Sequence, residues 1–242
     1  MEKYLIIDTE TANTMDYPLV YDIGYQVVDR KGTIYERGAY LVKEIFVQSK
    51  DLMETAYYAK KVPEYWERVW NKEITIKRFS EIRAIIRDTL KKWDIKKVGA
   101  YNAAFDRKAL NVTTRLLYGS SVRYFFPYGI EWFCIWHMAT QTLLSQNRFK
   151  KMAMEEGWLS EKGNLLTNAE VCYRYLIGGH DFDEEHKALD DVVIESFIFE
   201  KVLAQHRKVD WSIKRGCWRI PQTDRVFPKR KELRHEEHGM AL

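Results

Sequence analysis

Three cysteines in 242 residues are too few and too scattered to build structure with. Cys134, Cys172 and Cys217 have no C-x-x-C spacing, so neither a zinc knuckle nor a disulfide framework is suggested. A reducing compartment is the simplest setting for such a chain. No apolar run approaches the roughly 20 residues that cross a bilayer. The opening MEKYLIID lacks the basic-then-apolar plan of a signal peptide. Internal repeats and low-complexity tracts are absent too. Together these absences predict a soluble, cytoplasmic protein with no membrane partner, in which the sequon-like Asn111-Val112-Thr113 carries no meaning.

What is present is enough for a real core. Hydrophobic residues make up 46% of the chain and aromatics 14%, which is inconsistent with disorder. The net charge of +4 is unevenly placed. From His206 to Leu242 there are ten Lys or Arg against five Asp or Glu. That segment therefore carries +5, the other 205 residues carry about −1, and the basic character lies in the tail.

Apolar periodicity outlines a mixed α/β chain. Tyr4 to Ile7 reads as a strand covered on both faces. The stretch YDIGYQVVDRKGTIYERGAYLV alternates on both sides of Lys31-Gly32 and reads as a long hairpin. The pattern is weak from Lys43 to Val62, after which PEYWERVW has a proline suited to a first helical turn. Residues 79 to 93 form an amphipathic helix with Ser80 as its expected cap. A short strand at 97 to 102 precedes a helix closed by Gly119, and a strand near Trp132 precedes a helix from about Ile135. Further helices are expected at 167 to 176, capped by Thr167, and at 187 to 204. Three early strands in a row make the sheet antiparallel where it starts, and the later helices cover its faces.

The first strand raises the chemical question, because it ends in Asp8 and Glu10. Residues i and i+2 of a strand share a face, so the two carboxylates project together. Either the strand simply ends there in water, or the pair is half of a metal site of hard oxygen ligands of the kind Mg2+ or Mn2+ prefers. The second reading needs further acids. Asp106 lies about one turn into the helix that follows Asn102, where the macrodipole favours an anion. His186 precedes the last helix, and Asp190 and Asp191 both fall in its first turns. Periodicity does not choose between them.

Asp8-x-Glu10, Asn102-x-x-x-Asp106 and His186-x-x-x-x-Asp191, in DTET, YNAAFD and HKALDD, resemble in order and rough spacing the three motifs of the DEDDh 3′–5′ exonuclease family. The likeness runs over about residues 3 to 204 and leans toward epsilon-type proofreading exonucleases of phage or prophage origin. It implies a ribonuclease H-like exonuclease fold over 1–205, followed by a basic extension at 206–242. It also implies that Asp191 rather than Asp190 is the ligand. Two departures stand out: Asn13 where the family often has Gly, and Tyr101 where a histidine commonly precedes the asparagine.

By the same resemblance, Asp8, Glu10, Asp106 and Asp191 hold two divalent ions, Mg2+ or in its place Mn2+. Asp8 bridges both, Glu10 and Asp191 complete one site, and Asp106 acts directly or through water. His186 is the implied general base, and Thr9, Thr11, Asn102 and Phe105 are the implied contacts to the terminal nucleotide. The implied reaction releases nucleoside 5′-monophosphates from the 3′ end of DNA, single-stranded or frayed. RNA is the alternative substrate, since nothing in the sequence reveals a site that reads a 2′-hydroxyl. Proofreading would require a DNA polymerase in trans. A non-catalytic nucleic-acid-binding module is disfavoured, because clustered carboxylates repel phosphate. The aromatics Tyr57, Tyr58, Tyr65, Trp66 and Trp70 are read as core packing before channel walls.

Overall fold

A computed structural model describes residues 1–179, 182 and 186–213. Its strands are β1 (Lys3–Ala12), β2 (Leu19–Asp29), β3 (Ile34–Val42), β4 (Thr75–Lys77), β5 (Lys97–Ala100) and β6 (Glu131–Cys134). They form one sheet in the order β4-β3-β2-β1-β5-β6. The pairs β1–β2 and β2–β3 are antiparallel, whereas β1–β5, β5–β6 and β3–β4 are parallel. The sheet thus opens antiparallel, as its three consecutive strands imply.

The helices are α1 (Lys43–Phe46), α2 (Lys50–Met53), α3 (Val62–Trp70), α4 (Phe79–Lys92), α5 (Ala103–Tyr118), α6 (Ile135–Thr142), α7 (Asn147–Glu155), α8 (Ala169–Ile177) and α9 (Ala188–Leu203). β1 alternates between two cores. Leu5 and Ile7 pack with Ile82 and Ile86 of α4 and Leu110 of α5. Tyr4 and Ile6 pack with Met138 of α6, Cys172 of α8 and Phe199 of α9. Burial on both faces explains why β1 and β2 read as nearly unbroken apolar runs. Burying a side chain such as Leu or Phe contributes about 1.5–3 kcal/mol, so these two layers dominate the stability of the fold.

Several sequence expectations shift in detail. Ser80 does not cap α4, because the helix begins one residue earlier, at Phe79. Arg78 holds the cap position, and Glu81 reaches back to accept from its amide at 2.9 Å. Thr167 does not cap α8, which starts after Asn168. Its hydroxyl instead accepts from the Trp136 indole. The weakly patterned stretch from Lys43 to Val62 contains the two short helices α1 and α2. Strand β4, only three residues long, and helix α7, which buries Phe149 and Ala153, are additions to the sequence expectation.

Residues 209–213 of the expected extension pack back on the domain. Trp211 stacks on Tyr4, and Gln141 exchanges hydrogen bonds with the Asp210 backbone. The basic tail beyond Ile213, with Cys217, lies outside the described residues. Cys134 and Cys172 are buried thiols. No helix among the described residues is long and apolar enough to cross a membrane.

Candidate active site

Strand β1 delivers Asp8 and Glu10 to one face, and α9 brings Asp191 to the same place. One carboxylate oxygen from each of the three lies within 4.8 Å of the other two. Asp190, the neighbouring acid, points elsewhere and pairs with Arg68 of α3. Asp106, in the first turn of α5, is only 2% exposed, and its Oδ1 accepts from the Thr9 hydroxyl at 2.9 Å. Thr9 lies on the opposite face from Asp8, so one strand presents two acids on one side and grips a third from the other.

The acids strain against one another. Burial raises the Asp8 carboxyl well above its ordinary value, and the charges of Asp106, Glu195, Asp191 and Glu10 raise it further. Burial also pushes Asp106 up to about 7, although the Thr9 hydroxyl and backbone amides act the other way. Converging carboxylates held as anions need a compensating positive charge. Their hard oxygen donors are the set that suits Mg2+ or Mn2+. The residues therefore fit a divalent-metal centre.

How α9 comes so close is visible on β2. Asp8 pairs with Gly24 across the antiparallel ladder. A Cβ on Gly24 would stand 2.3 Å from the backbone of Ala188 and Leu189. Glycine there lets the N-terminal turn of α9 rest directly on the sheet opposite Asp8. Two residues earlier, Asp22 is fully buried and pairs with Glu10. Its Oδ2 accepts from the Ala188 amide at 3.0 Å and from the Tyr65 hydroxyl at 2.9 Å. Burial lifts Asp22 to about 6 despite those two donors. Ion pairs Lys187–Glu64 and Arg68–Asp190 fasten α3 to the same helix end.

His186 sits just ahead of this helix, in the left-handed region at φ +50. Its ring stacks on Tyr58, with centroids 4.5 Å apart and planes 13° from parallel. Burial lowers its pKa, and Lys61 adds to the effect. Asn13 also has positive φ, at +72, a backbone conformation that asparagine tolerates better than most non-glycine residues. Its amide donates to Thr55 and its side chain to the Tyr17 carbonyl. Tyr101 is buried and donates to the Thr167 carbonyl, anchoring the entry to α8.

Of the expected nucleotide contacts, Asn102 is exposed at the head of α5, while Phe105 and Thr11 are half-buried. Thr9, by contrast, is buried and committed to Asp106. Among the five aromatics, Tyr65 belongs to the core, but Tyr57, Trp66 and Trp70 are exposed. Three neighbours of the site escaped the sequence reading. Asp22 and Gly24 lie in an apolar strand, where an acid and a glycine are themselves signals of special packing. Glu195 is one helical turn beyond Asp191 and 3% exposed, a spacing at which side chains share a face.

No protein-family model and no curated protein matches the chain. Solved structures do. A full-length 3′-exonuclease superposes with a TM-score of 0.55 at 13% identity, covering 86% of this chain and 84% of that one. A 3′-exonuclease described in 3′-end-specific recognition of a histone mRNA stem-loop gives 0.50 at 13%, over 84% of this chain and 63% of that one. E. coli Exonuclease I in complex with a 5cy-dT13 oligonucleotide gives 0.50 at 13%, over 86% of this chain. This chain spans only 41% of that enzyme. The protein shares with these exonucleases the ribonuclease H-like fold.

Proposed function

We propose that the protein is a metal-dependent 3′–5′ exonuclease that hydrolyses the terminal phosphodiester bond at a 3′ end and releases a nucleoside 5′-monophosphate. The observation that carries this reading is the convergence of Asp8, Glu10 and Asp191 beside a buried Asp106 held by Thr9, on a fold shared with 3′-exonucleases.

Asp8, Glu10, Asp106 and Asp191 would hold two divalent ions, with Mg2+ the native choice. When bound, the metal supplies Lewis acidity toward the attacking water and charge neutralisation at the leaving 3′ oxygen. Thr9 orients Asp106. His186 accepts the proton of the attacking water at an imidazole nitrogen, and its lowered pKa keeps the ring neutral and ready to do so near pH 7. Asn102, Phe105 and Thr11 line the approach of the terminal nucleotide, the phenyl ring by stacking on its base.

DNA is the favoured substrate through the epsilon-type character of the motifs, which also points to a phage or prophage kind of enzyme and to a DNA polymerase as partner in trans. RNA is the second reading, favoured by the structural neighbour described with an mRNA stem-loop. Both readings are tested by incubating the protein with 3′- or 5′-labelled single-stranded DNA and RNA, in Mg2+, Mn2+ or EDTA, beside Asp8→Ala and His186→Ala. Metal-dependent shortening from the 3′ end, abolished in Asp8→Ala, is expected. Degradation in EDTA, or full activity in Asp8→Ala, would overturn the assignment.

A further inference from the structure

The imidazole of His186 and the ring of Tyr58 lie face to face, both half-buried. Tyr58 stands on a fixed base. It heads the short 3-10 turn Ala59–Lys61, its carbonyl accepts the Lys61 amide at 2.9 Å, and the Ala59 amide donates to the carbonyl of buried Ala56 at 3.0 Å. Tyr57 meets the ring edge-on at 4.8 Å, and the Lys61 ammonium lies 5.4 Å from its centroid.

The stack joins two segments that each belong to the acid site. Thr55, three residues before Tyr58, accepts the Asn13 amide at 2.8 Å, and Asn13 is three residues beyond Glu10. Buried Tyr21 of β2 senses both Glu10 and Tyr58: burial first, then the charges of Glu10 and Asp22, raise its hydroxyl pKa, and Tyr58 adds to the rise. His186, for its part, precedes Lys187, whose carbonyl takes the Asp191 amide at 3.0 Å.

A general base must aim a ring nitrogen at the proton it takes, within hydrogen-bond reach. In histidine the torsion that turns the ring is broad, with no sharp wells, so the plane of the ring is set by what packs on it. The left-handed backbone of His186, at φ +50, is likewise a conformation that a non-glycine residue keeps only when its surroundings hold it. A parallel aromatic face suits this task. It covers the face of the imidazole and not the edge, where both nitrogens lie.

We propose that Tyr58 is a positioning residue whose ring face sets the plane of the His186 imidazole for proton transfer. The proposal rests on the exonuclease reading above, in which His186 is the general base.

The test uses the full chain with Tyr58→Ala, with Tyr58→Leu, which keeps apolar bulk without a flat ring, and with Tyr58→Phe, which keeps the ring. Should Tyr58→Ala not fold, Tyr58→Leu carries the comparison. The His186 ring protons are followed by NMR, identified by their absence in His186→Ala, and kcat and KM are measured on single-stranded DNA and RNA oligonucleotides in Mg2+.

In the unsubstituted protein these protons are expected upfield, under the ring current of Tyr58. Tyr58→Ala and Tyr58→Leu should move them downfield and lower kcat about tenfold or more, with KM changed less than about twofold, the pattern of a contact that matters in the transition state. Tyr58→Phe should keep both near the parental values. Ring signals unmoved in the Ala and Leu variants would show that no stack forms in solution. A stack lost at unchanged or raised kcat would reduce it to packing, and a Phe variant as slow as the Ala variant would transfer the effect to the hydroxyl. Each of these outcomes overturns the positioning role, while hydrolysis by the unsubstituted protein keeps the exonuclease reading standing. If the unsubstituted protein hydrolyses neither polymer, the exonuclease reading has failed and the role of Tyr58 falls with it.

Discussion

Gly24 lies directly across the ladder from Asp8, and the space its side chain would fill is taken by the backbone of Ala188 and Leu189. The acid that begins the site and the helix that completes it are thus brought together by a missing methyl group. Gly24→Ala should push α9 off the sheet and carry Asp191 away from Asp8 and Glu10. Overpacking of this kind costs about 1–3 kcal/mol, a drop in Tm of several degrees for a chain of this size. Activity should fall by about a hundredfold, as misplaced catalytic groups commonly cause. Thermal melts and kcat/KM check both, and wild-type activity in this variant would contradict the close approach.

Metal and stability should be linked through Asp8. Its raised carboxyl means that the anion is disfavoured in the folded state, so without metal the protein gains stability as Asp8 protonates and loses it as pH rises. In EDTA at pH 8, Asp8→Asn should therefore melt at a higher temperature than the unsubstituted protein. Mg2+ or Mn2+ at a hundred times Kd should stabilise the unsubstituted protein by about 2.7 kcal/mol, roughly 5–10 °C in Tm. The same ions should leave Asp8→Asn little changed. A variant less stable than its parent in EDTA would remove the repulsion argument.

For His186, the pH profile is diagnostic. A general base acts when neutral, so activity rises with pH through its pKa. Burial and Lys61 lower that value from 6.5, which places the acid limb of kcat/KM below pH 6.5. Lys61→Gln removes the cation and should move the limb upward. A limb above 6.5, or one indifferent to Lys61, would show that another group titrates.

Away from the site, Glu36 should govern acid stability. Burial pushes its carboxyl up, but donors from Lys92, Thr89, Trp93 and Tyr25 outweigh it and hold the group at about 2. Its anion bridges β3 to α4 and the residue after that helix, through Thr89 at 2.6 Å and Trp93 at 2.8 Å. The folded value lies below the unfolded one, so this contribution is present above about pH 4.5 and is lost as pH falls toward 2. Denaturation followed from pH 6 to pH 2 should show a steeper loss in the parent than in Glu36→Gln.

The motifs were readable because strand and helix periods are short-range. Asp8 and Glu10 share a face by the two-residue repeat, and Asp106 sits where a helix start tolerates charge. The choice of Asp191 over Asp190 was not readable from periodicity, since it depends on Arg68 of α3 drawing Asp190 aside, a contact across 122 residues. Asp22 and Glu195 were missed for a related reason: their burial is set by which helix lies on which face of the sheet. Ser80 and Thr167 were misjudged as caps by one or two residues, the usual uncertainty of a helix end.

The sheet order places β1 in the middle, with its antiparallel partner on one side and the parallel β5 on the other. Its acids at positions 8 and 10 consequently wait for one from α5 and another from α9, nearly two hundred residues away. A chain still being synthesised holds two carboxylates and no centre. The capacity to grip metal arrives only with α9, so a truncation before residue 191 should produce a protein that is harmless to the nucleic acid around it.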